Sequence, residues 1–142
     1  DYLYAVSVSP SLGLNSTWMG GDENDGCFNP TLTELLGRIH SDRISTVKNP
    51  SRLIVFGSSR SGPGVYSEGY FRITSPAFSS RRWQDEYVED DASSFGNISG
   101  RWGGSSIVAT VDGAVDSLTL EEMDDMRRWS DRADAPDWVL SP

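Results

Sequence analysis

The chain has one cysteine, Cys27, one histidine, His40, and one lysine, Lys48, in 142 residues. A lone cysteine excludes an intrachain disulfide. One Cys and one His exclude the usual zinc ligand sets. They also leave no workable nucleophilic triad, because His40 closes the same predicted helix that follows Cys27. Long hydrophobic runs are missing too. Runs such as Leu53-Ile54-Val55-Phe56 are far too short to span a bilayer. Positive charge is scarce, with 12 Lys+Arg against 21 Asp+Glu and a net charge of −9. No stretch gathers the bases that a phosphate backbone requires, which excludes nucleic acid as a partner. The same balance disfavours an anionic membrane surface.

What is present fits a single domain over residues 1–142, long enough to bury a core. Hydrophobic content of 37% is low-normal, and five Trp, five Tyr and five Phe offset it with large apolar surfaces. Fourteen Gly and seven Pro imply many turns and argue against a helical bundle. Asn15-Ser16-Thr17 and Asn97-Ile98-Ser99 match the N-glycosylation acceptor pattern, and the chain begins at Asp1, so a secreted glycoprotein is expected.

Two periodicities organise the chain. Alternation predicts strands over 2–8, 53–58, 69–75 and 105–111. Asn29-Pro30 predicts a helix start, and Leu32, Leu35, Leu36 and Ile39 form one apolar stripe over 30–40. That stripe is expected to be buried, with Val55 and Phe56 in the core. Thr119 and Glu122 form a capping box opening a helix over 119–131 that carries Leu120, Met123, Met126 and Trp129. Strands and helices are interspersed, so the fold class is α+β.

Asp22, Asn24 and Gly26 faintly echo a calcium loop, but a ligand is missing before the glycine and Thr33 stands where a bidentate Glu belongs. A solvated acidic turn is the plainer reading, and no metal site is expected. Glu86, Glu89, Asp90 and Asp91 cluster beside Arg81 and Arg82. Paired carboxylates can stabilise an oxocarbenium-like centre at a sugar carbon, although a charged surface loop has the same composition.

The order of these pieces resembles the cholera- and pertussis-type ADP-ribosyltransferases. Residues 2–10 resemble that family's first strand, and 18–25 with 35–38 its turn and helix. Residues 54–59 resemble the serine strand, 69–76 the aromatic strand, and 89–98 the acidic turn with its glycine-rich tail. The resemblance implies a mixed β-sheet pair with flanking helices. It implies Glu89 and Asp91 as catalytic carboxylates and Ser58 and Ser59 as NAD-binding residues, on opposite walls of one cleft. The sequence also departs from the family. Ala5 stands where the first-strand arginine grips the NAD phosphates, and Ser7 and Ser9 replace its charged neighbours. Gly57-Ser58-Ser59 replaces Ser-Thr-Ser, and Asp91 is one methylene shorter than the family's glutamate. Loss of the arginine removes about 1.5–3 kcal/mol, and retracting the carboxylate by about 1 Å costs on the order of a hundredfold in rate.

Three readings stay open. The first is a secreted toxin- or effector-like pseudoenzyme, with NAD chemistry weak or lost and no cofactor. It would act by binding a target protein of a host or competitor. The second is an active NAD-dependent mono-ADP-ribosyltransferase whose arginine is relocated to Arg52, Arg60, Arg72 or Arg82. The third is a β-rich structural or capsid-like protein.

Overall fold

The computed structural model describes residues 3, 4, 7, 9–63 and 68–142. It is a small α+β protein built on a four-stranded antiparallel sheet in the order β1 (Leu12–Leu14), β2 (Ile54–Ser58), β3 (Ser105–Thr110) and β4 (Val115–Thr119). The helices are short: α1 (Pro30–Leu36), α2 (Leu120–Met123), and single 3-10 turns at Ile44–Thr46, Ala92–Phe95 and Met126–Arg128. Among the described residues no helix is long and apolar enough to cross a membrane.

The β3–β4 hairpin closes at Asp112-Gly113. The Asp112 carboxylate accepts from Thr110 Oγ1 (2.6 Å) and Ala114 N (3.1 Å), which is how an Asp fixes its own turn. The inner face of the sheet takes Ile73 and Ile98. Gly13 is needed there, because a Cβ on it would stand 2.7 Å from the backbone of Arg72. The core is aromatic. Trp83 packs edge-on to Trp129 (centroids 5.8 Å) and tilted against Phe95 (4.8 Å), and Trp18 lies against Phe78 (5.5 Å). Each buried indole N–H finds an acceptor: Ser75 Oγ for Trp18, Thr74 O for Trp83 and Met123 O for Trp129.

Several expectations are corrected. The described residues form one sheet rather than a pair. Within 2–8, Leu3, Tyr4 and Ser7 are helical and exposed, not extended, and Ser7 Oγ donates to Tyr4 O (2.7 Å). Ala5 and the rest of that strand lie outside the described residues. Residues 69–75 form no strand. Their backbone partners are spread over Ser59, the segment from Pro10 to Leu14, and Gly96, with a single parallel bridge at Leu14 and Arg72, so no continuous ladder builds up.

Phe56 is 42% exposed and Val55 half-buried, while Leu53 and Ile54 are buried. A register shift between Ile54 and Phe56 turns the later side chain outward. Helix α1 is capped by Asn29 as predicted, but it stops at Gly37. Leu35 is 61% exposed, Leu32 and Leu36 are half-buried, and Ile39 is buried from the segment beyond the helix. Truncating Leu36 therefore costs less than the about 2–5 kcal/mol of a fully buried leucine.

The capping box at Thr119 and Glu122 forms as expected. The helix after it breaks at Asp124-Asp125, because the Asp125 carboxylate accepts from Arg127 N (3.0 Å) and opens a new 3-10 turn. Met123, Met126 and Trp129 are nonetheless all buried.

Candidate functional site

Beyond β2 the chain leaves the sheet and pairs with the end of the acidic turn. Ser99 N donates to Ser58 O (2.9 Å), Arg60 N to Asn97 O (2.8 Å), and Ser59 bridges Ile98. This pairing brings the serine strand and the acidic turn together. The key side chain is Arg60, only 7% exposed. Its Nε donates to Ile98 O (3.0 Å), Nη1 to Glu89 O (2.6 Å), and Nη2 to Asp91 O (3.0 Å) and Ser94 Oγ (3.2 Å). The guanidinium also lies 4.0 Å over the Tyr87 ring. Among the described residues this buried cation has no carboxylate partner and is met instead by three carbonyls, a hydroxyl and a π face.

Both serine hydroxyls are internal. Ser58 Oγ accepts from Ile107 N (3.1 Å) and faces Ile107 O (3.3 Å). Ser59 Oγ accepts from Tyr70 N (2.9 Å) and has Tyr70 O (2.9 Å) and Pro10 O (3.0 Å) within donating reach. They hold segments 10 and 70 and strand β3 against β2.

The two carboxylates differ. Asp91 caps the Ala92–Phe95 turn, accepting from Ser93 Oγ (2.5 Å), Ser93 N (2.9 Å) and Gln84 Nε2 (3.0 Å). The Ser93 hydroxyl above all, then the Ser93 amide and Gln84, holds its carboxyl below the usual carboxylate range. Glu89 instead lines a cleft of about 580 Å³, together with Asp90, Arg60, Tyr87, Glu68 and Arg101. Asp91 is not on its wall. Among the described residues no hydrogen bond or ion pair ties the side chain of Glu89 or Asp90. Glu68 lies 3.8 Å from Arg101. The remaining arginine candidates are engaged elsewhere: Arg52 with Arg127 O, Arg72 with Asp22, and Arg82 with Asp25.

Asp91 carries a pH prediction. Its pKa is lower in the folded than in the unfolded chain, so the stability it contributes is complete above the ordinary Asp value near ~3.9. That contribution is lost as pH falls through the depressed folded value. Asp22, Asp112, Glu122 and Asp125 shift the same way. Urea unfolding at a series of pH values will therefore show stability falling below about pH 4, with a shallower fall in Asp91→Ala. An identical slope in the variant would show that the cap contributes nothing.

The sequons differ too. Asn15 has no exposed surface, and its Nδ2 donates to Ile54 O (2.9 Å) and Trp129 O (3.0 Å), so the folded chain cannot present it to a glycosylating enzyme. Asn97 is half-buried and donates to Arg60 O (3.1 Å).

Sequence reasoning missed the structural part played by Arg60 and did not name Tyr87 or Arg101. The available signal was position, since Arg60 directly follows the two serines at the point where β2 runs out. Comparison of the chain with protein-family models, with curated proteins and with solved structures returned no match.

Proposed function

We propose that the protein is a secreted effector-like binding protein in which NAD chemistry is weak or lost, and that it engages a target protein through the Glu89 cleft. One observation carries this reading: the Asp91 carboxylate is occupied as a cap and lies off the cleft wall. The resemblance to ADP-ribosyltransferases asks that carboxylate to hold a ribose hydroxyl. It also asks Ser58 and Ser59 to face the ligand, and both hydroxyls are buried among backbone groups. What the resemblance keeps here is the juxtaposition of a serine strand and an acidic turn.

Among the described residues, the charged side chains in the cleft without a hydrogen bond or ion pair are the carboxylates of Glu89 and Asp90, in a chain of net charge −9. Such a cleft repels a pyrophosphate and attracts a basic side chain of a partner. The second reading, an active enzyme with a relocated arginine, has Arg60 in its favour, because it is the one candidate arginine on the same wall as Glu89. Its donors, however, are turned to the carbonyls of Glu89, Asp91 and Ile98. Calorimetric titration with NAD separates the two. The binding reading expects no saturable heat at up to about 1 mM NAD, where affinity would correspond to roughly −4 kcal/mol. Saturable binding below that concentration, lost in Glu89→Ala, would favour the enzyme.

A further inference from the structure

A second hollow, of about 400 Å³, shares no lining residue with the Glu89 cleft. It forms where the segment after α1 meets the segment after the Met126–Arg128 turn. Four of the chain's 12 Lys+Arg line it, namely Arg38, Arg43, Lys48 and Arg132, together with His40. In a chain of net charge −9 this is a local reversal of sign.

Two carboxylates border the hollow and both are engaged. Asp42 pairs with Arg38. Asp131 accepts from the backbone N–H of Lys48 (2.9 and 3.0 Å) and of Asn49 (3.2 Å), which fixes the stretch carrying Lys48. Arg132 Nη1 donates to Leu36 O (2.7 Å), so its guanidinium is anchored at the C-terminal end of α1. Among the described residues, no hydrogen bond or ion pair ties the side chains of Arg43 and Lys48. His40 Nδ1 is buried without a hydrogen-bond partner, packed against Gly21.

From this arrangement we infer that the hollow binds a phosphomonoester group. A dianion with three terminal oxygens matches a fixed guanidinium, a free guanidinium and a free ammonium. The hollow is larger than a phosphate, which leaves space for the group that carries it. A long polyanion is disfavoured, because the chain as a whole carries −9 and repels everything that extends outside the hollow. The site is independent of the proposal for the Glu89 cleft.

The test is calorimetric titration in low-salt buffer with two probes, O-phosphoserine and inorganic phosphate. Both will bind the wild type with millimolar or tighter Kd. The double variant Arg43→Gln/Lys48→Gln, which alters two exposed and unpartnered side chains, will weaken both by at least about tenfold. Arg81→Gln removes the same kind of charge outside the hollow, from an exposed pair with Asp124, and will leave both unchanged. The inference is overturned if neither probe gives saturable heat below about 10 mM, or if Arg81→Gln weakens binding as much as the double variant. It is also overturned if inorganic phosphate binds and phosphoserine does not.

Discussion

Replacing Arg60 with alanine will lower the unfolding free energy by about 2–5 kcal/mol, as expected for breaking a buried hydrogen-bond network and leaving its acceptors unpaired. The cost arises from what the guanidinium leaves behind. The carbonyls of Glu89 and Ile98 lose the donor that Arg60 supplies, while Asp91 O keeps Ser94 N and Ser94 Oγ, and Ser94 Oγ keeps Val88 N; each buried group left without a partner costs about 1–3 kcal/mol before water enters. The Tyr87 ring loses the cation stacked on it. Arg60→Lys tests the geometry, because an ammonium keeps the charge but cannot reach both the 89–91 turn and Ile98 from one point. It will recover less than half of the loss. Denaturant unfolding with matched m-values decides the matter, and a loss below about 1 kcal/mol in Arg60→Ala would mean that the acidic turn holds itself together.

Gly96→Ala will cost at least about 3 kcal/mol. Gly96 ends the Ala92–Phe95 turn with φ 56° and ψ 40°, a left-handed conformation that costs a non-glycine residue about 1–2 kcal/mol. A Cβ there would also stand 2.0 Å from Thr74 O and 2.6 Å from Trp83 Nε1. Thr74 O is the acceptor for the Trp83 indole, and Thr74 N donates to Gly96 O. Relieving the clash therefore breaks hydrogen bonds in the core. Gly103→Ala separates the two effects: its φ is 66°, but a Cβ there meets nothing within 4 Å. That variant will show only the backbone cost of about 1–2 kcal/mol. Equal losses at both positions would show that the clash at Gly96 is relieved freely.

Local signals were legible in the sequence and long-range ones were not. Asn29-Pro30 and the Thr119/Glu122 box start helices where predicted, because a cap is settled within a few residues. Met123, Met126 and Trp129, placed by the sequence on the 119–131 helix, are all buried, although Asp125 splits that helix. Alternation failed where partners were dispersed. Residues 69–75 look extended, but Gly69 sits at φ 95° against the carbonyl of Ser9, and the segment crosses three different neighbours.

The candidate site was legible as a neighbourhood. Glu89, Asp91, Ser58 and Ser59 do come from segments that meet. Their chemistry was not legible, because whether a carboxylate faces a cleft or caps a turn depends on one residue of register. Glu89 falls on the cleft wall, and Asp91 turns back onto Ser93. Arg60 was hidden for a related reason, since a buried arginine bonded to carbonyls leaves no acidic partner for the sequence to advertise.

The measurement that tests the account most directly is nicotinamide release from millimolar NAD by the wild type, Glu89→Ala and Asp91→Ala, with the stability of each determined on the same samples. The account predicts background release from all three, with Asp91→Ala measurably less stable than the wild type. Release by the folded wild type well above background, abolished by both substitutions, would contradict it and make the Glu89 cleft an active site.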